Sequence, residues 1–274
     1  MTEWSPESST AAPGWEANAE RIDERLRAVT DWLLERADVQ VGQLVLDVAA
    51  GPGGVGHSAA ELVGPQGRVL STDWAASMVD AARRIGASRG LTTVEYRVMD
   101  AHSMDLEDDA VDVVVCRHGF MLMENPVDAL RETRRVLKPG GNLVFSVFAS
   151  PERNPFTAAP QRVFVELGHL PQPSPRSPGV FAMSDASTIR AALVASDFGV
   201  EAMETIDLQG SMPDGDFIID RIVEMNPMFG RIYRDLSGNE QAAARRALLD
   251  EFEAFQQTNG TYVLPSQIWG VHAR

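Results

Sequence analysis

Apolar positions along this chain follow two alternating periods. Between residues 18 and 37, Ile22, Leu26, Val29 and Leu33 recur at helical spacing with Asp, Glu and Arg between them. That pattern predicts an amphipathic helix packed on another layer. Residues 41–48 then read as a buried strand. From there the two patterns alternate: 57–63 helical, 68–72 extended, 75–85 helical, 94–98 extended. The run 111–116 is almost continuously apolar, as a central parallel strand requires. Residues 126–137 form a helix with proline near its first turn and Lys138-Pro139-Gly140-Gly141 as its stop, and a strand follows over 142–148. Such alternation predicts an α/β fold with a Rossmann-like, doubly wound, mostly parallel sheet.

The pattern changes after Ser150. Residues 151–179 are rich in Pro and Ser and carry one short helix-like piece, 161–167. A helix over 184–196 is entered through Ser184 and Asp185, and a strand covers 200–208. Helical stretches around 217–225 and 240–257 precede a final extended segment, 266–273. The last two strands make a C-terminal β-hairpin, and the helices between them form a lid insertion above one sheet edge. The expected division is an N-terminal tail and helical cap (1–40), a core (41–208), a lid (209–261) and a last core strand (262–274). The lid's apolar side carries Phe217, Ile218, Ile219, Ile222, Met225, Met228, Phe229, Ile232 and Tyr233. Methionine beside aromatics can mould around an apolar ligand, although a stripe of this kind is more often core.

Charge and composition narrow the chemistry. The formal charge of -15 repels phosphate backbones, which argues against nucleic acid and against anionic membrane surfaces. No apolar run approaches the length of a membrane span. Residues 1–14 lack the pattern of a signal peptide and read as a short disordered lead. The single cysteine, Cys116, rules out an intrachain disulfide and suits a reducing, cytoplasmic setting. The five histidines, His57, His102, His118, His169 and His272, have no metal-ligand spacing, so no metal is expected. A single lysine, Lys138, against abundant arginine and alanine suggests a GC-rich bacterial gene.

The strand Val45-Leu46-Asp47-Val48 runs into the turn Ala49-Ala50-Gly51-Pro52-Gly53-Gly54, and the next strand ends on Asp73. Gly51, Gly53 and Gly56 satisfy Gly-x-Gly-x-x-Gly, with Asp73 placed for a ribose hydroxyl pair, so a dinucleotide-dependent oxidoreductase is a live reading. Asp47 opposes it. A pyrophosphate needs backbone N–H groups and a positive helix end at this turn. A carboxylate below the turn repels a pyrophosphate and favours an ammonium or a sulfonium. Asp47 can equally hold the turn by accepting loop N–H bonds.

This segment resembles motif I of the class I S-adenosylmethionine-dependent methyltransferases, with Ala49 in place of the usual first glycine. Asp73-Trp74-Ala75-Ala76-Ser77-Met78 resembles the acidic ribose-binding turn and its helix, and Met99-Asp100-Ala101 the adenine-binding turn. Leu137-Lys138-Pro139-Gly140-Gly141 resembles the motif before the fifth strand. The resemblance covers 41–148 well and is strongest to enzymes of quinone and natural-product biosynthesis. It implies that Ala49, Gly51 and Gly53 lie against the methionine part of the cofactor and that Asp47 faces its positive end. It further implies that Asp73 takes the ribose hydroxyls, that Trp74 and Met78 flank the adenine, and that Asp100 and the Ala101 N–H bond its edge. Arg117 packs against or orients the methionine end. His118, at the fourth strand's exit, is the candidate base or substrate-orienting group, since a histidine is substantially neutral near pH 7. His169 is placed to line the acceptor pocket, and Trp15 to fold over the site. The activity implied is in-line transfer of a methyl group from S-adenosylmethionine to carbon or oxygen of a hydrophobic small molecule, with S-adenosylhomocysteine as product. The resemblance leaves two matters open: a homodimer, and a cofactor-binding relative that catalyses cyclisation or rearrangement.

Overall fold

Seven strands form one sheet in the order β3-β2-β1-β4-β5-β7-β6. They are β1 (Leu44–Val48), β2 (Arg68–Asp73), β3 (Val94–Val98), β4 (Val111–Arg117), β5 (Leu137–Phe148), β6 (Val200–Met212) and β7 (Tyr262–Ala273). The computed structural model describes residues 12–173 and 177–274, so most of the expected disordered lead and three residues of the Pro- and Ser-rich stretch lie outside the described residues. Strands β1 to β5 are parallel, and β7 runs antiparallel to both β5 and β6. The sheet is therefore Rossmann-like and mostly parallel, closed at one edge by an antiparallel hairpin.

The apolar run of β4 is buried on both sides because helices cover both faces. On one face lie α3 (Arg27–Ala37) and α4 (Gly54–Val63), where Val29, Leu33, Val55 and Ala59 pack on Val45, Val113 and Val115. On the other lie α6 (Pro126–Val136) and α8 (Ala186–Val194), where Leu130 and Ile189 pack with Leu46, Val114 and Phe145. The helix α5 (Ala76–Ser88) joins β2 to β3.

Several elements differ from the sequence expectation, each for a local reason. The N-terminal helix is broken at Leu26 (φ -97, ψ 12) into α2 (Ala19–Arg25) and α3, after a first short helix α1 (Ala12–Ala17). The break has neither Pro nor Gly, so the apolar period runs through it unmarked. Helix α7 (Pro155–Glu166) begins well before the expected piece, with Pro155 in its first turn, and tolerates Pro160 inside it. An interior proline removes one helical bond, which is why the pattern upstream does not read as helix. Strand β5 starts at Leu137 and passes through the Lys-Pro-Gly-Gly motif as a bulge, with Gly140 at φ 77. The hairpin also extends beyond 208 and 266, pairing Met212 with Tyr262.

That extension carries the lid. Helices α9 (Gly215–Met225), α10 (Pro227–Asp235) and α11 (Gly238–Phe252) share an apolar cluster with α7 and the hairpin tip. Helix α10 lay hidden between two expected helices and starts where the Asn226 side chain accepts from the Phe229 N–H. Ser237 and Glu240 form a capping box for α11. Ile218, Ile219, Ile222 and Phe229 are at most 5% exposed inside this cluster, so they hold the lid together. Phe217, Met228, Ile232 and Tyr233 are only partly buried.

The lid core is separate from the two sheet cores, and truncations should report separately. Leu33→Ala should lower global stability by about 2–5 kcal/mol, read by denaturant titration. Ile218→Ala should instead raise amide exchange mainly within α7 and α9 to α11, with little change in β1 to β5.

Candidate functional site

Strand β1 is bonded to β2 on one side and β4 on the other, so the chain's winding reverses between β1 and β4. In open α/β sheets ligands collect beyond the strand ends at such a reversal. Both strands leave the sheet here in the left-handed region. Ala49 has φ 54 and His118 has φ 62. The left-handed conformation costs a residue with a side chain about 1–2 kcal/mol, a kind of strain that gathers at functional sites. The two exits touch. A Cβ on Gly119 would lie 2.7 Å from the Ala49 Cβ and 2.6 Å from the Cys116 sulfur, so only glycine fits there.

The turn after Ala49 continues with Gly51 at φ 55 and Gly53 at φ 91, and Gly53 caps α4. His57, buried beneath Gly53, hydrogen-bonds through Nε2 to the Tyr96 hydroxyl at 3.1 Å. Burial, aided by Arg89, lowers the His57 pKa to about 4 and keeps its ring neutral.

Two buried carboxyls brace the turn from below. Asp47 Oδ2 accepts from the Gly56 N–H at 2.7 Å. Burial raises its pKa to about 7, against the opposing pull of that N–H and of Arg117. Asp73 Oδ2 accepts from the Gly51 N–H and Oδ1 from the Ala75 N–H, both at 2.9 Å. Burial likewise raises its pKa, opposed by these same N–H groups. The Gly56 N–H, on the third glycine of the dinucleotide-type spacing, is thus already occupied by a side chain of the protein.

Arg117, the last residue of β4, donates to Asp23 at 3.0 Å and to Thr30 at 2.7 Å. These contacts tie α2 and α3 across the strand exits. The cap is tied again by Arg84, which donates twice to Glu16 at 2.7 and 2.6 Å, joining α1 to α5. Arg221 of α9 donates to Asn18 at 3.0 Å, joining the cap to the lid. Trp15, in α1, is half-buried.

The His118 ring stacks on Phe148 with centroids 4.7 Å apart and planes 4° apart. Phe181 lies 6.1 Å beyond Phe148. His118 Nε2 is shielded and has no hydrogen-bond partner among the described residues. Burial, with a smaller contribution from Arg117, lowers its pKa to about 3, so the ring is neutral across the working range.

The structure brings Asp47, Ala49, Gly51, Gly53, Asp73, Arg117 and His118 to neighbouring strand exits. Trp74 follows β2 and is 43% exposed, and Met78 is half-buried in α5. Asp100 and Ala101 follow β3, beside Asp73. The Asp100 carboxylate accepts from the His102 backbone N–H at 2.9 Å, and its Oδ1 lies 2.8 Å from His102 Nδ1. His169 stands apart from His118: it packs edge-on against Phe164 of the lid core. Lys138 pairs with Asp112 at 2.6 Å, at the start of β5. Asp23, Thr30, Tyr96 and Phe148 escaped the sequence reading. Asp23 looks like a solvated charge on an amphipathic helix, and only the fold discloses its partner. Among the described residues no cluster of three metal-ligating side chains occurs, and no helix is long and apolar enough to cross a membrane.

Residues 40–167 match a family model described as a methyltransferase domain. Over 119 residues the chain is 36% identical to the ubiquinone/menaquinone biosynthesis C-methyltransferase of Pseudomonas savastanoi, covering 43% of this chain and 46% of that protein. The chain spans between 34% and 53% of the length of such curated relatives. Its fold resembles that of a Bacillus halodurans protein assigned as a methyltransferase, with TM-score 0.61 and 21% identity over 89% of this chain and 97% of that one. It also resembles the [4+2]-cyclase SpnF, with TM-score 0.55 and 21% identity over 90% of this chain and 79% of that one. At these identities the structural likeness concerns the fold.

The raised Asp47 pKa makes a signed prediction. Between about pH 4 and pH 7 the folded chain holds a proton on Asp47 that the unfolded chain has released, so this residue's contribution falls as pH rises. Asp47→Asn should therefore gain stability relative to the parent between pH 5 and pH 8, by up to about 2.5 kcal/mol. Urea titrations at the two pH values measure it. An unchanged difference would show that Asp47 is ionised throughout.

Proposed function

We propose that this chain, which carries a class I S-adenosylmethionine-dependent methyltransferase domain over residues 40–167, methylates carbon or oxygen of a hydrophobic small molecule. Acceptors of quinone, polyketide or other natural-product type suit it best. The observation that carries the reading is the Asp47–Gly56 bond beneath the glycine turn. It sets a buried acid directly beneath the turn, where the negative charge of a dinucleotide's pyrophosphate is disfavoured. A buried acid there suits a cofactor with positive charge at its amino acid end. The identity to quinone C-methyltransferases favours carbon as the accepting atom.

In this reading Gly51 and Gly53 admit the cofactor's backbone-like end, with Ala49 beside them. Asp73 turns from the Gly51 N–H to the ribose hydroxyls. Trp74 and Met78 flank the adenine, whose edge meets Asp100 and the Ala101 N–H. Arg117, held by Asp23 and Thr30, fixes the methionine end. Bound S-adenosylmethionine supplies an electrophilic methyl group on a sulfonium. The protein's share is alignment and exclusion of water. His118, Phe148 and Phe181 make an apolar, aromatic wall at the β4 exit. A histidine with a pKa near 3 is a poor proton acceptor from a phenol or enol. Its neutral Nε2 is better suited to orienting the acceptor by a hydrogen bond. Residues 1–40 act as the cap over the cofactor and 209–261 as the lid over the acceptor.

Titration calorimetry tests the cofactor directly. S-adenosylmethionine should bind in the micromolar range, about -8 kcal/mol, and NAD should give no heat of binding. NAD binding without S-adenosylmethionine binding would overturn the proposal. Asp73→Ala should weaken S-adenosylmethionine roughly ten-fold or more through loss of charge-assisted bonds. With an accepted substrate, kcat should show no limb near pH 6.5 traceable to His118. A limb that disappears in His118→Gln would make His118 the base.

A further inference from the structure

Arg25 closes α2, and its surroundings differ from those of other arginines. Arg117 is matched by Asp23 and Thr30, and Arg84 by Glu16. Arginines without an acid or hydrogen-bond partner among the described residues, such as Arg27 and Arg190, are exposed; Arg25 has none and is half-buried. Its guanidinium lies over the Phe156 ring, 5.1 Å from the centroid. It also lies 3.7 Å from where a Cβ on Gly210 would stand. Burial alone lowers its pKa, and neither a carboxylate nor a second cation acts on it. The chain has 39 acidic side chains against 24 basic ones, so a half-buried arginine matched by none of the described acids is conspicuous. A half-buried guanidinium held over an aromatic ring, with no acid bonded to it, keeps its donors open to an anion from outside the chain.

Its place in the fold points to the acceptor. Asp23, two residues earlier, is bonded to Arg117, the neighbour of His118. Strand β6 is antiparallel to β7, which is antiparallel to β5, so β6 runs in the direction of β4 and β5. Gly210 near its end therefore lies beyond the same sheet edge as His118. Phe156 opens α7, which belongs to the lid cluster. Arg25 thus stands where cap, lid and sheet edge meet.

We propose that Arg25 is the recognition residue for a carboxylate carried by the hydrophobic acceptor. The proposal rests on the methyltransferase reading and names the substrate class of that same site. The planar guanidinium fork matches a carboxylate with two parallel bonds. A single cation neutralises a monovalent carboxylate, whereas a phosphate dianion calls for a second one, and none is at hand. The Phe156 ring behind the guanidinium offers a face to the acceptor's apolar body, and Gly210 leaves the approach free of a side chain.

The test uses the full chain saturated with S-adenosylhomocysteine, whose own binding is measured first, so that failure of the cofactor reading shows itself separately. Two acids, 4-hydroxybenzoate and 1-hydroxy-2-naphthoate, are titrated beside their decarboxylated partners, phenol and 1-naphthol. At least one acid should bind roughly ten-fold or more tighter than its phenol. Arg25→Met, which keeps the apolar stem without the charge, should erase the preference. The same variant should leave the Tm of the ligand-free protein unchanged or raised, since it breaks no ion pair or hydrogen bond among the described residues. Acids that bind no better than their phenols would overturn the proposal. So would a fall in Tm for Arg25→Met, which would make Arg25 a structural residue, or tighter binding of phenyl phosphate than of either acid.

Discussion

The contact between two left-handed strand exits is what the rest of this structure depends on. Ala49 at the end of β1 and His118 at the end of β4 both leave the sheet with positive φ, and Gly119 lets them touch. Neighbouring parallel strands usually send their loops apart. Here the two turns are pressed together at the winding reversal. One turn carries Gly51 and Gly53, and the other carries His118, stacked on Phe148. Strain of this kind is sustained only because the surroundings leave little freedom: β4 is buried on both faces and α3 crosses beneath.

Electrostatics around these exits run against the overall charge. Asp73 and Asp23 repel Asp47, Arg117 offsets them in part, and burial raises the pKa of both Asp47 and Asp73. Added positive charge relieves such a cluster, and a dinucleotide's pyrophosphate would aggravate it. Arg25 is the counterpoint, a positive group kept clear of acids.

Much of this was legible in the amino-acid sequence, for reasons that can be named. The strands β1 to β5 are short apolar runs between turn residues, and their order follows from alternation with helices. The glycine turn and the carboxyls at 47, 73 and 100 mark the strand exits directly. What stayed hidden depends on tertiary contact. The break at Leu26 leaves the apolar period intact. Pro160 conceals the first half of α7, and α10 has a cap, Asn226, that also reads as a loop residue. The apolar stripe on α9 looked able to face a ligand, yet Ile218, Ile219 and Ile222 pack inward among themselves and α11. The partners of Arg117, and the lack of one for Arg25, arise between segments distant in sequence, where no local pattern can announce them.

The lid has a core of its own, hung on the prolonged β6–β7 hairpin. The family match ends at residue 167, just past α7, and so takes in only the first helix of that core. Substitutions inside α9 to α11 can accumulate without disturbing the packing under Gly51, Asp73 or His118. A lineage built this way can remodel its lid while inheriting its sheet edge intact, so two descendants with the same front half need share no lid surface.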